Sequence, residues 1–180
     1  MTRIRPSGAI QARIRAVNGA NGWDAPVSLA DRTGIVALLA LAITEVAEAI
    51  EAVRKPPVDA AHLVEELADV TIRLLDLGAG LGVEVLREGD TPSAVPGGHD
   101  TATTEGLVAA LGVIAAAIGR VIDAMAGAPP SIAAFATGIA LPCMQVEAVA
   151  TALGLDLPGA VEAKVARNAT RAYRHGGRAI

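Results

Sequence analysis

Aromatic side chains are nearly missing from this chain, with one Trp, one Tyr and one Phe among 180 residues. A core must then be assembled from Ala, Leu, Val and Ile, and an abundance of Ala and Leu favours helix. Strand alternation appears nowhere along the chain. Cysteine is as scarce: Cys143 stands alone, which excludes a disulfide framework and a cysteine-based zinc site and fits a reducing cytosol. An excess of positive charge is lacking too. With 15 Lys and Arg against 19 Asp and Glu the net charge is −4, so nothing draws the chain to a nucleic-acid polymer or an anionic membrane surface. Unbroken apolar spans are missing as well. The stretch 106–119 is short, and 124–146 is interrupted by Gly127, Pro129 and Pro130, so neither is expected to cross a bilayer. The start, MTRIRPSGAIQARIRAV, is basic but lacks the apolar run of a secretory signal and reads as a short helical segment of a mature cytoplasmic protein.

What is present is apolar and helical. At 52% hydrophobic and 19% charged, residues 1–180 suffice for one all-α domain. Gly and Pro divide the chain into helical segments 27–55, 58–81, 102–127, 131–153 and 158–174. Ser28 and Asp59 are expected N-caps, the Pro56-Pro57 and Pro129-Pro130 pairs enforce breaks, and 89–101 reads as a linker. Shifting the sequence on itself by 72 residues aligns GIVALLALAITEVAEAIEAV (34–53) with GLVAALGVIAAAIGRVIDAM (106–125). The same shift carries Pro57 onto Pro129 and LGVEV (81–85) onto LGLDL (153–157). Such a repeat predicts two tandem helical hairpins, 27–88 and 102–180, that close a four-helix bundle, with an added C-terminal helix.

One segment carries like charges that its apolar character does not explain. In ITEVAEAIEAVRK (43–55), Glu45 and Glu48 share a helix face, with Glu51 at its edge. The next helix, HLVEELADVTIRLLDL (62–77), spaces Glu66 and Asp69 in the same way, with Asp76 two turns further on. A solvated charged face would supply basic partners, yet Ala49 and Ala52 stand four residues after Glu45 and Glu48, and only Glu51 can pair, with Arg54 or Lys55. Carboxylates opposed across two antiparallel helices repel unless a cation lies between them. Oxygen donors without His or Cys select Mg²⁺ or Mn²⁺.

Thr44-Glu45-Val46-Ala47-Glu48, followed after seventeen residues by Glu66-Leu67-Ala68-Asp69, resembles the EExxE…ExxD signature of the all-α nucleoside triphosphate pyrophosphohydrolases. That group comprises the MazG-like proteins, the dimeric dUTPases, and the dCTP and phosphoribosyl-ATP pyrophosphohydrolases. Thr44 stands where the family usually has Glu. The resemblance implies Mg²⁺ held by Glu45, Glu48, Glu66 and Asp69, cleavage between the α and β phosphates of a nucleotide, and Glu45 or Glu48 as the group that orients or deprotonates water. It also implies a downstream Lys, Asn and Arg that hold phosphates, matched by Lys164, Asn168 and Arg171 in EAKVARNATRAYRHGG (162–177). Spaced by four and three, these three are expected on one helical face.

The repeat distributes these groups unequally. A shift of 72 carries Glu45, Glu48, Glu66 and Asp69 onto Ala117, Arg120, Gly138 and Leu141, and carries Lys164, Asn168 and Arg171 back onto Pro92, Pro96 and His99. One chain is thus expected to mimic a dimer of a simpler ancestor, with the first hairpin holding the metal and the second half supplying scaffold and phosphate-binding tail. Trp23 in GANGWDAP (19–26) could stack on a base while Asn18 or Asn21 reads its edge, or could anchor the N-terminal segment to the bundle. His62 and His175 are expected at the surface, and Arg73 and Asp76 as supports of the acid set, with a plain Asp69–Arg73 ion pair as the alternative. A homodimer is expected from so apolar a surface. The rival from another class is a helical interaction module with a degenerate site, and a dedicated dUTPase, dCTPase or phosphoribosyl-ATP hydrolase is the narrower enzymatic alternative.

Overall fold

Asp59 ends one loop and begins one helix by accepting a hydrogen bond from His62 N at 3.0 Å. Thr103, Ser131 and Asp156 do the same three residues ahead, for Gly106, Ala134 and Gly159. Each side chain satisfies one of the amide groups left unpaired in a first helical turn. In the computed structural model these caps open α3 (Ala60–Gly80), α4 (Thr104–Ala126), α5 (Ile132–Ala152) and α6 (Leu157–Asn168); α1 (Gly8–Ala20) and α2 (Arg32–Arg54) precede them. The structure describes residues 4, 7–54, 57–91, 94–128 and 130–173, and among them there is no strand. Lys55, Pro56, Pro92, Pro129 and His175, named above, lie outside the described residues.

Two boundaries differ from the sequence expectation. The first long helix starts at Arg32 rather than 27, because Asp31, not Ser28, takes the capping bond, from Gly34 N at 3.0 Å. Ser28 instead closes a turn onto Ala30 N. At the other end α6 stops at Asn168, where Thr170 Oγ1 donates to Arg167 O at 2.8 Å, so Arg171 sits in a turn beyond the helix rather than on its face.

Contacts close in a ring: α2 packs on α3, α3 on α5, α5 on α4, and α4 back on α2, while α1 and α6 both lie against α3. Asp59 N reaches back to Ala52 O at 3.1 Å, and Arg73 reaches Glu45, so α2 and α3 run antiparallel. α3 is the hub, with Leu63, Leu67, Leu74 and Leu77 fully buried. The 89–101 segment holds a short 3₁₀ turn, Pro96–Gly98, seated on α4. The basic N-terminal segment is tied down more firmly than its composition suggested. Ser7 and Gln11 bond the backbone after α3, through Ser7 Oγ to Leu86 N at 3.0 Å and Gln11 to Val83 O and Val85 N.

The bounds of α2 and α3 recur in α4 and α5 with one offset of 72 residues. Gly82 and Gly154, a further pair at that offset, end α3 and α5 with φ of 70° and 69°, the left-handed conformation that glycine adopts without a Cβ penalty. By length and composition α2, α4 and α5 could each cross a bilayer, although 33%, 39% and 61% of their most apolar windows are buried inside the protein.

Candidate metal centre and substrate cavity

Glu45 lies on the α2 face that meets α3 and is buried; Glu48, one turn on, is exposed at the edge of that interface. Glu66 approaches from α3, also buried. One carboxylate oxygen from each of Glu45, Glu48 and Glu66 lies within 4.8 Å of the other two. Burial pushes the Glu66 carboxyl up to about 7, with repulsion from Asp69, Glu48 and Glu45 adding to the shift and Lys164 opposing it. Asp69 is also raised, chiefly by burial, against a hydrogen bond from Lys164.

Counter-charges are present, which corrects the expectation from α2 alone. Arg73 of α3 binds Glu45 through Nε at 2.7 Å and through a second guanidinium nitrogen. Lys164 of α6 pairs with Asp69, and Arg73 supports Glu45 rather than forming the alternative i,i+4 pair with Asp69. His62 Nε2 lies 3.0 Å from Glu66 Oε1, so a histidine does border the acid set, at the i,i+4 spacing that could have revealed it. Spacing along one helix cannot report partners that arrive from neighbouring helices. Glu45 and Asp69 each meet a permanent positive charge and Glu66 meets His62, whereas Glu48 makes no ion pair among the described residues. Clustered carboxylate oxygens of this kind suit Mg²⁺ or Mn²⁺, and His62 would add a nitrogen that Mn²⁺ tolerates better.

Glu45, Glu48 and Asp69, though not Glu66, line a cavity of about 750 Å³, within the range of small-molecule sites. Lys164 and Asn168 of α6, and Arg171 beyond that helix, line it too. Asn18, Asn21, Trp23, Asp24, Arg73 and Asp76 also belong to its wall. Asn21 Nδ2 donates to Asn168 O at 2.8 Å, joining the Trp23 loop to the end of α6. Arg167, which sequence reasoning did not single out, fastens α6 to α3 through Glu65 at 3.1 Å and holds the Glu65 carboxyl below its usual range. Gly80 lets the loop lie against α3: a Cβ there would meet Pro26 O at 2.6 Å.

A second, smaller cavity of about 200 Å³ is lined by Ala117, Arg120, Gly138 and Leu141, the positions that the 72-residue offset pairs with the four acids. It contains no carboxylate. The chain matches no family model, no curated protein and no solved structure.

Proposed function

We propose that this protein is a divalent-metal-dependent nucleoside triphosphate pyrophosphohydrolase, releasing a nucleoside monophosphate and pyrophosphate. The observation that carries the reading is the convergence of Glu45, Glu48 and Glu66 within 4.8 Å, with Glu45 and Glu48 on the wall of a cavity that Lys164 and Arg171 also line. Acids for a metal and cations for phosphate then face one space, as phosphoryl chemistry requires. The sequence resemblance to the all-α pyrophosphohydrolases points the same way.

Glu45, Glu48, Glu66 and Asp69 would hold Mg²⁺ or Mn²⁺, which when bound neutralises phosphate oxygens and lowers the pKa of a coordinated water. Glu48, exposed at the cavity wall, would orient an attacking water or take its proton. Lys164 and Arg171 offset the charge of the leaving pyrophosphate, with the Asn168 amide beside them. Trp23 stacks on the base.

The architecture is read as a duplicated hairpin closing a four-helix bundle. Helix bounds, cap positions and terminal glycines repeated at one offset support it, as does the small cavity at the acids' counterpart positions. The second hairpin has kept the packing and lost the ligands. A cytosolic homodimer completes the proposal, joined through the incompletely buried apolar faces of α2 and α4, where Ile43 and Ile50 correspond to Ala115 and Ile122.

The competing reading, a non-catalytic helical scaffold, is favoured by the ion pairs Glu45–Arg73 and Asp69–Lys164, which already neutralise two of the acids. Assaying pyrophosphate release from the natural nucleoside triphosphates, with Mg²⁺ and with chelator, separates the two. The enzyme should release pyrophosphate only with the metal and lose at least a hundredfold of the rate in Glu48→Gln; a scaffold should release none. The panel of nucleotides also distinguishes a broad activity from a dedicated dUTPase, dCTPase or phosphoribosyl-ATP hydrolase.

A further inference from the structure

Asp76 is a buried carboxylate, 5% exposed, on the wall of the main cavity but two helical turns along α3 from Asp69. That spacing is about 10 Å along the axis, outside the acid cluster. Its oxygens are treated differently. Oδ2 accepts from Asn18 Nδ2 at 2.9 Å, whereas Oδ1 has no hydrogen-bond partner. Arg15 Nη1 forms an ion pair with Oδ1 at 3.9 Å but is too distant to hydrogen-bond it, and that nitrogen is likewise without a hydrogen-bond partner, while Nη2 of the same guanidinium donates to Ala25 O at 3.2 Å. An acceptor oxygen left without a hydrogen bond in a desolvated wall costs free energy that a ligand donor can recover.

The ligand must then reach from the phosphate-binding side of the cavity to Asp76 and present an N–H there. A sugar and base joined to the phosphates span that separation, and Trp23, whose backbone N–H donates at 2.9 Å to the carbonyl of the Asn18 that clamps Asp76, lines the same cavity. We propose that Asp76, oriented by Asn18 and Arg15, determines base specificity by accepting a hydrogen bond from an exocyclic amino group, so that the substrate is a nucleotide of an amino-bearing base rather than of its keto counterpart. A keto oxygen at that position would face the carboxylate acceptor to acceptor, and a site that pairs with an N–H rejects the analogue lacking it. The inference rests on the hydrolase reading of the same cavity and adds its substrate class.

The test compares base pairs that differ chiefly by amino against keto, CTP with UTP and ATP with ITP. Pyrophosphate release and quenching of Trp23 fluorescence are followed in the wild type, Asp76→Asn and Asn18→Ala with Mg²⁺ present. The expected result is a kcat/KM about tenfold or more in favour of the amino partner, a ratio that collapses or inverts in Asp76→Asn, whose amide can donate to a keto oxygen. Asn18→Ala, which frees Asp76 from its clamp, should shrink the ratio several-fold and carries the test if Asp76→Asn does not fold. Pyrophosphate release with no amino preference in the wild type, or with a preference untouched in both variants, overturns the proposal and leaves the hydrolase reading standing. Neither release nor quenching with any nucleotide overturns both.

Discussion

Glu66 titrates at about 7 in the fold and near 4.5 when unfolded. Between those values the folded state carries the extra proton, so the metal-free protein should lose stability as pH rises from about 4.5 to 7. The raised Asp69 acts in the same direction. The loss should be on the order of 1 to 2 kcal/mol, reduced by screening at the open cavity. Urea melts in chelator at pH 5 and pH 7.5 measure it, and Glu66→Gln should flatten most of the slope. Metal binding must expel the same proton, so Mg²⁺ affinity should rise with pH, by up to about tenfold per unit below 7. Calorimetric titration at pH 6 and pH 8 checks that sign. Glu48 is a different case: it is exposed, so Glu48→Gln should change stability by no more than about 0.5 kcal/mol while abolishing turnover.

Elements, rather than single residues, set where the cavity is. α3 carries acids toward α2 and α6 on one stretch and Asp76 toward α1 on the next, while Gly80 at its end admits the Trp23 loop. Gly80→Ala should push that loop outward, because the added methyl would lie 2.6 Å from Pro26 O and 3.0 Å from Ala25 Cβ. A cost of about 1 to 3 kcal/mol is expected, with KM rising more than kcat falls, since the displaced loop carries Trp23, the proposed base-stacking group, and none of the four clustered acids. Thermal melts and steady-state kinetics on one preparation separate these effects. Gly82→Ala and Gly154→Ala should each cost about 1 kcal/mol for the left-handed backbone, and by similar amounts, since both glycines have open space around them.

For the whole molecule, a divalent ion that binds the folded chain alone should stabilise it by mass action, about 2.7 kcal/mol at a hundredfold excess over Kd. In a domain of this length that corresponds to several degrees in Tm, and Asp69→Asn should shrink the gain. Self-association is testable on the same scale. Gly119 lies on the same face of α4 as Ala115 and Ile122, with open space around it, so Gly119→Arg should not lower the melting temperature while shifting the sedimentation coefficient from dimer to monomer.

Ala and Leu content, the cap at Asp59, and the proline and glycine punctuation determined from the sequence that the chain is helical and nearly where its helices lie, because those are local effects of backbone geometry. Spacing of three likewise brought Glu45 with Glu48 and Glu66 with Asp69 onto common faces. What those acids meet was decided only by tertiary packing. Arg73, Lys164 and His62 reach them from other turns and other helices, Arg171 leaves the helix its spacing implied, and Asp76 keeps an unpaired oxygen because α1 brings it Asn18 but holds Arg15 just out of reach. Periodicity specifies which way a side chain faces on its own helix; the partner opposite depends on how the helices are arranged around α3.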